Sequence, residues 1–217
     1  MSEIAITIRW LGHASFLINA AGRIIYTDPY EGEYSKHADL ILVSHSHSDH
    51  CDLSKIKKVR KANTILIAPE DCRQKIAGNV NFLKPGDEVE VDGIKVEAVE
   101  AYNVKRFRSS GNPYHPKGFG VGYVIMAEDK KIYHAGDTDF ISEMQKIGDI
   151  DVALLPSGGT YTMDNAEAAE AAITINPKVV VPMHRWDTDP EVFKREVEAK
   201  SDIKVVVLKE GQEYQVA

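Results

Sequence analysis

Cysteine is scarce. Cys51 and Cys72 are the only two among 217 residues, too few for a disulfide framework and suited to a reducing compartment. Long hydrophobic runs are missing as well. No segment approaches 18 uninterrupted apolar residues, and Met1-Ser2-Glu3-Ile4-Ala5-Ile6-Thr7 has neither a basic n-region nor a long apolar span. No membrane partner and no secretory leader are therefore expected. Bases are outnumbered too: 26 Lys and Arg against 33 Asp and Glu give a formal charge of -7 and a pI near 5.6. A field of that sign repels polyanions, so no nucleic-acid partner is expected either. A soluble cytoplasmic protein is the simplest reading of these absences, and with nucleic acid and membrane set aside the partner to expect is a small molecule. No internal repeat or low-complexity segment stands out, and no heptad pattern decides the oligomeric state. The length suits one domain with a sizeable core and is short for two, so 1–217 reads as a single domain.

What the chain does hold is concentrated. Ser44-His45-Ser46-His47-Ser48-Asp49-His50-Cys51 puts three of the eight histidines and one aspartate within six residues. It follows an apolar run at 39–43 that reads as a buried strand. His45 and His47, two apart in extended chain, point to one side and can close on one ion. Asp49 and His50 come after the chain has begun to turn and suit a second, neighbouring ion. Imidazole with carboxylate suits zinc, manganese or iron and is a poor set for calcium or magnesium. The expected cofactor is one or two ions, zinc first, with Mn or Fe as alternatives.

Around this stretch, alternating apolar residues predict strands at 4–10, 15–19, 23–27, 64–68, 80–83, 89–91, 94–101, 120–126, 131–133, 152–155, 179–181 and 203–208. Helices are predicted at 53–61, 69–77, 140–147 and 190–199, and from a capping-box-like start at Asp164 and Glu167 through 173. Hairpins interleaved with helices fit an α/β sandwich of mixed sheets. Asp28-Pro29, at a strand end, reads either as a turn or as a carboxylate that fixes a metal-bound imidazole. The segment 102–120 breaks the pattern, and a loop of that length inside a compact domain is usually functional. Its Lys105, Arg106, Arg108 and Lys117 suggest an anionic substrate such as a sugar phosphate, a lactone phosphate or a phosphodiester. The alternative is a solvated loop whose charges balance an acidic surface.

His45-Ser46-His47-Ser48-Asp49-His50 resembles the H-x-H-x-D-H signature of the metallo-β-lactamase superfamily. Trp10-Leu11-Gly12-His13-Ala14-Ser15-Phe16 resembles the opening of the branch that contains L-ascorbate-6-phosphate lactonase and related small metal-dependent hydrolases. The likeness runs through most of the chain in motif order. It implies a four-layer αββα sandwich, two mixed β-sheets flanked by helices. It also implies that Asp137, after 132–136, bridges two ions, and that His184, after 179–183, joins Asp49 and His50 on the second. His13 is expected close to the pocket, and Tyr161 in a turn near the metals. One position departs: Asn103 stands where the superfamily places a histidine, and His115 could supply that imidazole from the long loop. If neither binds, the protein works with one metal.

The activity implied is metal-dependent hydrolysis of an ester, lactone or phosphodiester bond. Asp49 and Asp137 are the expected catalytic carboxylates, and Tyr161 and Lys117 the expected substrate contacts. Two other classes use similar residues. One is a non-catalytic metal-dependent ligand-binding or regulatory protein of the same fold. The other is a di-iron redox protein, which would bring more carboxylates and a flavin domain.

Overall fold

The computed structural model describes residues 6–217. Ile4 and Ala5 of the first expected strand lie outside them. β1 (Thr7–Gly12), β2 (Ser15–Ala20) and β3 (Arg23–Thr27) form an antiparallel meander turning at Ala21-Gly22. β4 (Leu40–Leu42), β5 (Ile65–Ala68) and β6 (Asn81–Phe82) extend it with parallel pairs, and α1 (Leu53–Val59) crosses between β4 and β5. The second sheet repeats that plan. β7 (Glu88–Val91) and β8 (Ile94–Ala101) make a hairpin, and a separate ribbon, β9 (Phe107–Ser109) with β10 (Asn112–Pro113), interrupts. β11 (Gly120–Ala127) then pairs antiparallel with both β8 and β12 (Lys130–His134). β13 (Val152–Pro156), β14 (Val179–Met183) and β15 (Lys204–Val205) add in parallel, with α2 (Asn165–Ile175) and α3 (Pro190–Glu198) as crossovers. β16 (Glu213–Gln215) returns to the free edge of β1.

The two seven-stranded sheets face each other across one core. β4 is apolar at consecutive positions because it is covered on both sides. Leu40 and Leu42 belong to the core between the sheets, whereas Ile41 and Val43 pack beneath α1 with Ile56 and Val59. Truncating Leu42 to alanine would cost about 2–5 kcal/mol. α2 packs on β13 and α3 and buries Ala168, Ala169, Ala171 and Ala172, small enough to admit close approach. Its capping box is formed, with Asp164 accepting from the Glu167 N–H and Glu167 accepting from the Asp164 N–H. α3 starts on an Asp189 cap with Pro190 at its first position, where a missing N–H costs nothing. Helices outside two facing mixed sheets make the four-layer αββα sandwich that the family resemblance implies. Among the described residues no helix is long and apolar enough to cross a membrane.

Several local expectations are corrected. The helix predicted at 69–77 is only a 3₁₀ turn, Glu70–Cys72, because Asp71 turns in to accept the Ser46 N–H at 2.8 Å and Lys75 donates to the Ser46 carbonyl. That at 140–147 is a 3₁₀ turn, Ser142–Lys146, whose start lacks the side-chain cap that Asp52 gives the seven-residue α1. The strand predicted at 203–208 shortens to β15. β16 was not anticipated, since three residues of alternating burial carry little periodic signal.

Candidate metal centre

In sheets with parallel strands, side chains gather where the chain leaves a strand's carboxyl end. β4 releases His45, His47, Asp49 and His50; β12 releases Asp137; β14 releases His184. His13 comes from the β1–β2 turn, and His115 from the chain between β10 and β11. His13, Asp28 and His184 hold left-handed backbone, with φ of 49°, 40° and 46°. Each such residue costs on the order of 1–3 kcal/mol, and strain of this kind collects at functional sites. Gly120 is required here: a Cβ on it would stand 2.9 Å from the His45 Cβ and 3.0 Å from the Ser44 carbonyl oxygen.

Two groups of donors result. In one, His47 Nδ1 lies 3.0 Å from His45 Nε2 and 3.2 Å from His115 Nε2. In the other, His13, Asp49, His50 and His184 converge, with His13 Nε2 3.3 Å from Asp49 Oδ2. Asp137 stands between them. Its Oδ2 is 3.3 Å from His115 Nε2, 3.2 Å from His184 Nε2 and 4.0 Å from His45 Nε2, and its Oδ1 is 3.3 Å from His50 Nε2.

The imidazoles are aimed from behind. Asp28 sits 2.8 Å from His50 Nδ1 and also accepts the Ser44 N–H and Oγ–H, each at 2.6 Å. Asn103 Oδ1 accepts from the His115 backbone N–H at 2.8 Å and from Nδ1 at 2.9 Å, while Asn103 Nδ2 donates to the Tyr161 carbonyl. With Nδ1 donating, the neutral His115 ring presents its Nε2 lone pair to the centre. Burial would lower His50, but Asp137 and Asp28 outweigh it and raise this ring well above its ordinary value, so His50 would give up its Nε2 proton on binding an ion. Burial pushes His45 well down, lowers His47, and pushes His115 down to about 4, so these rings stay neutral and able to bind a cation. Burial alone would raise Asp137, but His184 and His50 outweigh it and hold this carboxylate ionised.

A metal fits these residues. His13 Nε2, His50 Nε2, His184 Nε2 and Asp137 Oδ1 are buried without a hydrogen-bond partner, a costly state for atoms with nothing else to bind. Donors about 2.0–2.1 Å from a tetrahedral zinc ion stand about 3.3–3.4 Å apart, close to the 3.2–3.3 Å separations around Asp137. Each group can hold one ion, with Asp137 shared. His13 had been placed near the pocket, and its ring nitrogen belongs to the second donor group. Asn103 stands behind His115 and does not itself reach the centre.

The groups open into a cavity of about 400 Å³ lined by Asp49, Arg108, Tyr114, His115, Tyr161 and Trp186 among others. Tyr161 thus lies where the resemblance put it. Lys117 does not. Its ammonium turns the other way, 2.8 Å from Glu143 and 3.3 Å from Glu100, over the Tyr102 ring, and its assignment as a substrate contact is corrected. Lys105 pairs with Glu167, and Arg106 with Glu167 and Asp139, so Arg108 is the one basic side chain of the four that reaches the cavity. The long segment is also anchored: Asp139 accepts the N–H groups of Val104, Lys105 and Arg106. His134 is structural, with Nε2 2.9 Å from the Ala14 carbonyl and Nδ1 accepting the Gly136 N–H. Sequence reasoning missed Asp139, Tyr114 and Trp186. A tryptophan two residues past a strand-end histidine was the available signal for Trp186.

Two mixed sheets with histidines and aspartates at their strand ends define a class. The chain belongs to the metallo-β-lactamase superfamily, and the family's beta-lactamase superfamily domain matches residues 7–184. A UPF0173 metal-dependent hydrolase from Methanopyrus kandleri is 34% identical over 96% of this chain and 99% of its own length. One from Pyrococcus abyssi is 36% identical over 97% and 100%. Igni18, a novel metallo hydrolase from the hyperthermophilic archaeon Ignicoccus hospitalis, superposes with a TM-score of 0.81 at 28% identity, covering 97% of this chain and 98% of that one.

Proposed function

We propose that the protein is a zinc-dependent hydrolase that cuts an ester, lactone or phosphodiester bond in a small anionic substrate. Family membership supports the class. The observation that carries the reading is the convergence of two donor groups on Asp137 at the floor of a cavity whose one cation is Arg108. Imidazole and carboxylate donors favour zinc, with manganese or iron within the same donor chemistry. When bound there, the ions lower the pKa of a water towards about 7 and polarise the oxygen under attack.

The chain's own residues do the rest. Asp28 and Asn103 fix the rings of His50 and His115, and Asp137 stands between the two groups, with Oδ2 facing His115 and His184 and Oδ1 facing His50. Asp49 keeps a partly open carboxylate on the cavity. Burial would raise it, but the facing His13 ring, with Nε2 3.3 Å away, and His50 outweigh this and hold it below the usual range. In a two-metal state Asp49 would serve as a ligand of the second ion, and in a one-metal state its free carboxylate would be the group placed to relay a proton towards the leaving group.

Arg108 recognises charge. His47 faces the donor group with Nδ1, so with an ion held there its outer Nε2 would carry the proton of the neutral ring. A guanidinium cannot bond to that N–H, and the 3.4 Å approach of Arg108 Nη2 to His47 Nε2 leaves Arg108 without an acceptor. Stacked over Tyr114 and free of any ion pair among the described residues, it keeps its charge for an anion. The lactonase-like opening segment makes a phosphorylated lactone the first compound to assay.

The test is turnover by chelator-stripped protein before and after reloading with zinc, manganese or iron, on matched ester, lactone and phosphodiester substrates with and without a phosphate. Turnover should return only with metal. Arg108→Ala should raise KM about tenfold for the phosphorylated member of a pair, roughly 1.4 kcal/mol, and leave the neutral member unchanged. Saturable binding with no turnover across the panel would instead assign a binding or regulatory role.

A further inference from the structure

A second cavity, larger than the first at about 570 Å³, lies beside the metal centre. The two share a single lining residue, Trp186. They also meet beneath it, since His13 lines the second cavity and its Nε2 is 3.3 Å from Asp49, which lines the first. Any group bound in the second cavity is therefore one side chain away from the reacting atoms.

Trp186 is held there at a cost. Its φ is 48°, a left-handed conformation that is a genuine outlier for a bulky residue. Such backbone costs on the order of 1–3 kcal/mol, yet the side chain remains 53% exposed and gains little from packing. Residue 158 has to be glycine for this arrangement, because a Cβ would stand 2.4 Å from the His184 carbonyl oxygen and 2.8 Å from Trp186 Cδ1. A strained backbone that sets an indole edge-on beside His13 and His184, and between two cavities, acts to present that ring.

The two cavities differ in charge. The first has the unpaired guanidinium of Arg108. In the second, Arg185 and Lys209 are matched by Glu31 and Asp187, and Arg185 is already engaged, 4.1 Å over the Trp10 ring and donating to the Leu208 carbonyl at 2.7 Å. No net charge remains to select an ion. What remains is indole surface with Val207 and Leu208, suited to an uncharged ring.

We propose that this second cavity is the subsite for an uncharged, ring-bearing part of the substrate, with Trp186 as the wall that fixes that ring while the anionic end lies at Arg108. The reading rests on the hydrolase assignment, and it narrows the substrate class to compounds whose scissile bond lies between a charged end and a neutral cyclic one.

Trp10 and Trp186 are the chain's only tryptophans and both line this cavity, so occupancy has a readout separate from turnover. Benzyl alcohol titrated into metal-loaded Trp10→Phe protein should change the Trp186 emission saturably, and the change should be weakened when Val207→Phe narrows the cavity. Linear collisional quenching, equal with and without Val207→Phe, would overturn the subsite. In the kinetic arm, matched phosphorylated esters of benzyl alcohol and methanol are compared. Trp186→Ala should lower the benzyl-to-methyl ratio of kcat/KM tenfold or more, and Trp186→Phe should keep most of it. An unchanged ratio in Trp186→Ala, or equal loss in both variants, would overturn the role of the ring as an aromatic wall. Saturable emission without turnover on either ester would retire the hydrolase reading and leave the cavity; turnover with only linear quenching would do the reverse.

Discussion

The two donor groups that flank Asp137 are built differently. His45, His47 and His115 form a neutral set, backed at His115 by the amide of Asn103. His13, Asp49, His50 and His184 carry a carboxylate of their own, and a second one, Asp28, stands behind His50. A divalent ion gains Coulombic attraction from both carboxylates in the second group, and from Asp137 alone in the first. Three imidazoles in each group would thus give unequal sites, with the second expected to be the tighter.

The most severe way to break this comparison is to remove what the groups share. Asp137→Ala should empty both sites by elemental analysis and lower kcat/KM roughly a thousandfold, with far-UV circular dichroism unchanged. A smaller perturbation separates the groups. His115→Ala should take metal content from near two per chain to near one, and loss of both ions or of neither would refute the inequality. Smaller again are the residues behind the rings. Asn103→Ala should weaken only the first ion and Asp28→Asn only the second, each by about 10–100-fold in a competition titration with a chelator. Smallest is a change that touches neither group. Glu167 would be raised by burial, but hydrogen bonds from Arg106 and Lys105 outweigh this and take it to about 2, below its ordinary 4.5. The stability it lends is complete above pH 4.5 and is lost as pH falls towards 2. Glu167→Gln should flatten the melting temperature across that window and leave metal content at the wild-type value.

What was legible in the chain follows the same division. The cluster His45 to His50 is contiguous, so its chemistry could be read from spacing alone, and the strand before it from an apolar run buried on both faces. Asp137 and His184 lie far along the chain and were reached through resemblance, because no local rule says which strand ends meet. His115 could be offered for the missing imidazole but not oriented, since its tautomer depends on Asn103, twelve residues away. Lys117 was misread because a loop's charges look alike in sequence. Glu100 and Glu143, which turn it away from the cavity, come from β8 and a 3₁₀ turn. Asp139 was invisible as an anchor because its partners are backbone N–H groups, which every residue has.

That anchor has a consequence for how the protein can change. A single buried carboxylate holds the chain at Val104, Lys105 and Arg106, and beyond it β9 and β10 pair only with each other. Phe107, Arg108 and Ser109 are exposed, so replacing them disturbs neither sheet nor core, although Arg108 forms part of the cavity wall. The segment is an interchangeable part mounted on a fixed bracket. New substrate preferences can be tried at residues 107–113 while the hydrolytic centre stays as it is.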